Sequence, residues 1–153
     1  MIIEKPHKTS RHYKKLREAL GKKNIDKEIE SSFDFILMAT KGINAEIIKN
    51  FSTYFNLSRD TTASLLNVSS PTIYRWIKSQ KKLNRNLSAK LFEIADLFLY
   101  GIEVFGSQEN FFSWIELPNT ALGGMKPIEI IELPEGVSKV KDIIGRIEYG
   151  VFS

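Results

Sequence analysis

Apolar residues recur every three or four positions through most of this chain, which is the spacing of amphipathic α-helices. From Asp26 one such stripe predicts a helix that Gly42 ends, and Asn44 caps a second helix that ends at Asn56. The apolar positions of these two stripes are Ile29, Phe33, Ile36, Leu37, Ile47, Ile48, Phe51, Tyr54 and Phe55. No stretch of the chain makes a convincing strand, so we predict an all-α fold.

A longer helix is predicted over about residues 86–105. Its apolar stripe is broad enough for burial on several sides or for self-association, and it consists of Leu91, Ile94, Ala95, Phe98, Leu99 and Ile102. Residues 109–116 then predict an aromatic-rich helix that Pro118 stops. Residues 128–133 follow as one helical turn or a short extended piece. A last amphipathic helix begins after Gly136.

Two short helices joined by a tight turn are predicted between Thr61 and Lys78. Asn67 tolerates the left-handed backbone that this turn requires, and Ser69 or Ser70 can cap the second helix. The second helix has an apolar face of Ile73, Trp76 and Ile77 and a polar face opposite. This is the layout of a helix-turn-helix, whose second helix enters the major groove of DNA. An ordinary pair of core helices has the same periodicity, but the fixed offsets of the turn residues favour DNA binding.

Charge is distributed unevenly along the chain, although the net charge is only +4. Residues 75–90 carry six Lys and Arg and no acid, whereas residues 91–153 carry four against ten acids. Basic residues beside a recognition helix neutralise phosphates, which supplies most non-specific affinity for DNA. We therefore expect DNA contacts from Ser69, Ser70, Thr72, Tyr74, Arg75, Lys78, Lys81 and Lys82. The acidic C-terminal third would be repelled by DNA and is expected to face a different partner.

A length of 153 residues suits one domain or one domain with an arm. We divide the chain into a basic N-terminal tail (1–25), a helix-turn-helix and dimerisation region (26–105) and a C-terminal domain (106–153). The tail is interpreted as solvated and partly frayed, or as an arm that contacts DNA. No apolar run could span a bilayer and no signal peptide is evident, so we expect no membrane partner and a cytoplasmic protein.

Nothing in the sequence indicates catalysis. The absence of cysteine excludes disulfides, thiolate zinc sites and cysteine nucleophiles. Gly123 and Gly124 lack the spacing of a phosphate-binding loop, so they are interpreted as turn residues. Neither His7 nor His12 is expected to be a catalyst or a metal ligand. We therefore expect no catalytic residue, no metal and no cofactor.

The helix-turn-helix and the C-terminal third together resemble the Xre/MbcA/ParS family of antitoxins. The residues that carry this resemblance are Ala63, Asn67–Ser69, Thr72–Ile73, Arg75–Trp76, Trp114, Pro118–Asn119, Ala121–Gly124, Lys126–Pro127, Ile128–Ile131, Gly136, Val140 and Gly145–Gly150. The resemblance covers about residues 26–153 and leaves out the basic tail. One departure, Ser-Ser-Pro at the start of the recognition helix, means that base preference is not carried over from relatives.

The resemblance implies a protein with two functions. In that family the C-terminal domain binds a cognate toxin with a RES domain, an enzyme that uses NAD⁺, and the N-terminal part represses the operon. The residues expected to bind the toxin are Trp114, Lys126, Arg146, Tyr149, Gly150, Val151, Phe152 and Ser153. Residues 151–153 are interpreted either as a mobile end that enters the toxin's dinucleotide pocket or as a frayed terminus.

A free-standing helix-turn-helix regulator, with a C-terminal third used only for dimerisation or sensing, is the alternative. Either protein is expected to be at least a homodimer, because a two-fold pair reads two half-sites of operator DNA. The stripe of the 86–105 helix and the segment Phe111–Trp114 are candidate interface elements, although core packing is expected for most of their side chains.

Overall fold

The computed structural model describes residues 10–150. Nine α-helices within this range are α1 (Ser10–Leu20), α2 (Ser32–Lys41), α3 (Glu46–Tyr54), α4 (Arg59–Leu66), α5 (Ser70–Lys78), α6 (Arg85–Phe105), α7 (Gln108–Ile115), α8 (Pro127–Ile131) and α9 (Gly136–Glu148). A 3₁₀ turn spans Thr120–Leu122, and two short strands are β1 (Ile43–Asn44) and β2 (Lys82–Leu83). The fold is all-α, as predicted, except for this small antiparallel ladder. The ladder pairs Ile43 with Leu83 and thereby joins the end of α2 to the segment after α5.

Helix α6 is the centre of the fold and packs against α1, α2, α4, α7 and α9. Core packing of its broad stripe is confirmed, because Leu91, Ile94, Ala95 and Phe98 are completely buried. Asn84 caps its first turn by accepting from the Leu87 N–H at 2.8 Å. So wide an apolar face is expected on a helix that is buried on several sides.

Aromatic rings join α3, α6 and α7. The Phe98 ring lies 5.3 Å from Phe55 and 5.6 Å from Phe111, measured between centroids. Trp114 packs at the outer end of the cluster, with its ring 5.0 Å from that of Phe105 and tilted against it by 35°. Gly101 lets Phe111 approach α6 closely, because a Cβ at that position would overlap the ring. The segment Phe111–Trp114 therefore packs chiefly into the core.

The prediction of a solvated N-terminal tail is wrong from Ser10 onward. Residues Ser10–Leu20 form helix α1, whose Tyr13, Leu16 and Leu20 are buried against α3 and α6. The sequence shows these three apolar positions at helical spacing, but most residues between them are charged, so their burial was underestimated. The remaining residues of the predicted tail, 1–9, lie outside the described range.

Helix α2 is oriented differently from the prediction. The helix begins at Ser32, where Ser31 and Asp34 form a capping box, and Gly42 ends it as predicted. However, Phe35 and Ala39 are the buried side chains, whereas Phe33, Ile36 and Leu37 are exposed. The helix is apolar on both faces, so its periodicity could not show which face enters the core.

Candidate nucleic-acid interface and partner-binding surface

The turn between α4 and α5 has the predicted local geometry. Asn67 adopts the left-handed conformation with φ of 54°, and Ser69 accepts a hydrogen bond from the Thr72 N–H as the cap of α5. Ser70 does not cap; its hydroxyl donates to Asp60 Oδ1 on α4 at 3.0 Å. The first bond fixes the start of α5, and the second holds α5 against α4.

Helix α5 presents a polar face to solvent and an apolar face to the core. Ile73 is buried, while Tyr74, Arg75 and Lys78 are exposed. The Arg75 guanidinium donates to Thr72 Oγ1 at 3.1 Å, which holds its fork along the exposed face. An exposed arginine on the second helix of this motif is placed to contact phosphate or a base edge.

Basic side chains extend this face beyond the helix. Lys81 and Lys82 are exposed, and Lys81 Nζ lies 5.6 Å from the centroid of the Trp76 ring. The structure adds Lys49 on α3 and Arg59 on α4, which line a groove of about 1080 Å³ together with the polar face of α5. Sequence inspection missed these two residues, because they lie outside the basic block and reach the groove only through the packing of three helices.

The predicted partner-binding residues are spread over the C-terminal segment. Trp114 is half-buried in the aromatic cluster, and the Lys126 N–H donates to Glu129 Oε2 at the start of α8. Arg146 and Tyr149 are exposed at the end of α9, followed by Gly150. Val151, Phe152 and Ser153 lie outside the described residues.

The Gly123–Gly124 segment is a turn, as predicted. Both glycines have positive φ, 65° and 85°, which favours a residue without a Cβ. Asn119 closes the loop: its side chain accepts from the Ala121 N–H, and its backbone N–H donates to the Met125 carbonyl at 3.0 Å. The loop therefore gives α8 a fixed starting point.

A buried polar cluster joins both ends of the chain through α6. Asp96 Oδ1 lies 2.7 Å from His12 Nε2 on α1, and its Oδ2 accepts from Lys141 Nζ on α9 at 3.3 Å. His12 and Asp96 are both largely buried. Among residues 10–150, no group of three His, Asp or Glu side chains could hold a metal ion. The cluster is therefore a connection between helices.

Tyr100 and Glu148 connect α6 to α9 near the exposed C-terminal end. The Tyr100 hydroxyl donates to Glu148 Oε1 at 3.2 Å. Burial, followed by the nearby Glu148 carboxylate, raises the pKa of the Tyr100 hydroxyl well above its usual value. This tyrosine therefore favours its neutral, donating form in the folded protein.

Two family models match adjoining parts of this chain. Residues 34–96 match the antitoxin Xre-like helix-turn-helix domain, and residues 101–150 match the antitoxin Xre/MbcA/ParS C-terminal toxin-binding domain. The chain belongs to the Xre/MbcA/ParS antitoxin family. It is accordingly an Xre-family antitoxin that combines a helix-turn-helix with a C-terminal toxin-binding domain. The boundary between the two matches falls within α6, so this helix is shared by both parts.

Individual relatives agree with this assignment. The chain is 25% identical over 132 residues to the Prs ADP-ribosylating antitoxin of Sphingobium sp. strain YBL2, covering 80% of this chain and 83% of that protein. It is 21% identical over 113 residues to the antitoxin Xre of Yersinia enterocolitica, covering 73% and 76%. A chain of the M. tuberculosis MbcT–MbcA toxin–antitoxin complex shares the fold, with a TM-score of 0.53 and 20% identity over 71% of this chain and 96% of that one. Within residues 10–150, every helix is too short or too polar to cross a membrane.

Proposed function

We propose that this antitoxin neutralises a cognate RES-domain toxin through its C-terminal domain and represses its own operon by inserting α5 into operator DNA as a homodimer. The exposed polar face of α5 carries the DNA-binding part of the proposal. Tyr74, Arg75 and Lys78 leave the helix opposite the buried Ile73, as the second helix of a helix-turn-helix requires.

Charge supports a separate partner for the far end of the molecule. Residues 91–153 carry ten acidic side chains against four basic ones. A toxin pocket that binds an anionic dinucleotide is expected to be basic, so an acidic domain complements it and steers the encounter. Arg146 and Tyr149, which are exposed at the end of α9, and the adjoining residues 151–153 are the proposed contacts.

Two arginine substitutions test both parts of the proposal with one pair of proteins. Arg75→Ala removes an exposed guanidinium from α5, and Arg146→Ala removes one from α9. Arg75→Ala should weaken operator binding by about 1–3 kcal/mol if the side chain reads a base, and should leave toxin neutralisation intact. Arg146→Ala should show the reverse pattern.

The measurements are gel-shift titration at fixed salt and co-expression with the proposed cognate RES-domain toxin. A stable complex and relief of toxicity are expected from the wild-type chain. Without a complex, the chain would be a free-standing helix-turn-helix regulator. If Arg75→Ala leaves operator affinity unchanged, Arg75 is not part of the DNA contact.

A further inference from the structure

Helix α2 carries an exposed apolar surface that the fold does not use. Phe33 is 62% exposed, Ile36 is 46% exposed and Leu37 is 50% exposed, although the opposite face of the helix is in the core. These three residues, here called the α2 stripe, lie at positions i, i+3 and i+4 and so form one continuous strip. A short helix that is apolar on both faces is typical of one that is covered on both faces.

We propose that the α2 stripe is the surface through which two copies of this chain dimerise, with their α2 helices antiparallel across a two-fold axis at the level of Phe35 and Ile36. In this arrangement Phe33 of one copy packs beside Leu37 of the other. A two-fold contact of this kind must be complementary to itself, since the same patch supplies both sides.

The charges at the two ends of the stripe satisfy this requirement. Exposed Glu30 precedes the helix, and exposed Lys41 is its last residue. Neither makes an ion pair with another of residues 10–150. Antiparallel pairing brings Glu30 of each copy toward Lys41 of the other. The one other charged side chain between them, Asp34, is engaged at the start of the helix, where its carboxylate accepts hydrogen bonds from the Glu30 and Ser31 N–H groups. Complementary charges at both ends also fix the register of the contact.

A groove beside the stripe enlarges the surface available to a second copy. It has a volume of about 740 Å³ and is lined by Ile36 itself, Phe92, Ile131 and Val137. Leu133, which is 49% exposed, lies in the same lining. An aromatic side chain such as Phe33 that enters a pocket of this kind is the usual anchor of an interface.

The position of α2 also suits the proposed repressor function. This inference rests on that proposed function, because a repressor that reads two half-sites needs two copies of the chain. Strand β1 begins two residues after α2 and pairs with β2, which follows α5 closely. A contact between two α2 helices therefore sets the separation of the two α5 helices through a short, hydrogen-bonded connection. Two half-sites about one helical turn apart require such a fixed separation.

The first test measures the mass of the full chain at micromolar concentration and its dimer dissociation constant by sedimentation. The wild-type chain should be dimeric. Leu37→Glu should weaken the dimer at least about tenfold, because two carboxylates would be buried near the axis. Leu117→Glu is the matched control: Leu117 is 59% exposed and lies outside the stripe. It should leave the dimer unchanged.

The second test exchanges the end charges. Glu30→Lys and Lys41→Glu should each weaken dimerisation several-fold by placing like charges together, and the double variant should regain most of the affinity. Recovery of this kind is expected only if the two positions face each other across a contact between copies.

A monomeric wild-type chain, or a Leu37→Glu variant that stays dimeric, would overturn the inference. If Leu37→Glu stays dimeric but loses the toxin, the stripe belongs to the toxin interface. The proposed repressor function fails separately: a chain that dimerises through the stripe but shifts no operator DNA would disprove repression and leave this inference standing.

Discussion

Asn67 in the helix-turn-helix donates a hydrogen bond from its side-chain amide to the backbone carbonyl of Glu132, at 3.1 Å, in the connector between α8 and α9. The same asparagine thus sets the left-handed turn that positions α5 and contacts the toxin-binding domain. The two matched domains consequently meet at the turn between α4 and α5 as well as along α6.

Asn67→Gly isolates this contact, because glycine keeps the left-handed backbone and removes only the side chain. We expect it to lower the free energy of unfolding by at most about 1 kcal/mol, since the bond is exposed. Asn67→Ala should cost roughly 1 kcal/mol more, because alanine disfavours positive φ. Urea unfolding measures both differences.

Asn56→Gly is the matched control for that experiment. Asn56 has the same φ of 54° at the end of α3, and its side chain makes no hydrogen bond to another of residues 10–150. It should leave the free energy of unfolding close to that of the wild-type protein. Equal losses from Asn56→Gly and Asn67→Gly would mean that the Glu132 bond does not contribute to stability.

Gly101 and Gly145 predict opposite effects of the same substitution. A Cβ at Gly101 would overlap the Phe111 ring, so Gly101→Ala should destabilise the fold by about 1–3 kcal/mol. At Gly145 the nearest atom would be Tyr100 Oη at 3.6 Å, an ordinary contact. Gly145→Ala should therefore stabilise α9 by up to about 1 kcal/mol. Urea unfolding that gives both variants the same sign would contradict the packing of Phe111 against α6.

The Tyr100–Glu148 pair predicts a loss of stability in alkaline solution. The folded protein raises the pKa of Tyr100, so its contribution is complete below about pH 10, the usual pKa of tyrosine, and is lost as the pH rises above it. Melting temperatures from pH 8 upward should show a decline that Tyr100→Phe makes shallower. Glu148→Gln should reduce the slope only in part, because burial makes the larger contribution to the shift. An unchanged slope in Tyr100→Phe would assign the decline to other groups.

Deletion of residues 151–153 tests where inhibition occurs. Gly150 has a positive φ of 69° after the end of α9, a backbone conformation that does not continue a helix. We expect the shortened chain to bind operator DNA normally and to neutralise the toxin less well in co-expressing cells. If it protects cells as well as the full chain does, inhibition depends on the folded domain.

Local signals in the sequence predicted much of this structure. The left-handed Asn67, the Ser69 cap and the turn at Gly123–Gly124 all follow from preferences within a few residues. The polar face of α5 was predictable for the same reason. These features do not depend on what packs against the helix.

Long-range packing explains the features that were missed. The sequence could not show that α1 joins the core, because its apolar positions are few and its anchor is the buried pair His12–Asp96. It could not orient α2, which has apolar residues on both faces. The β1–β2 ladder has only two residues per strand. Strands this short show no alternation of apolar and polar residues from which they could be predicted.

The cluster of His12, Asp96 and Lys141 places a constraint on how this antitoxin can change over evolutionary time. One carboxylate in α6 accepts contacts from α1 and α9, which stand near opposite ends of the described chain. A substitution at any of the three leaves a charged or polar group in the interior without one of its contacts. A change at Lys141 in α9 would therefore favour compensating changes in the N-terminal helix, which lies far from it in the sequence.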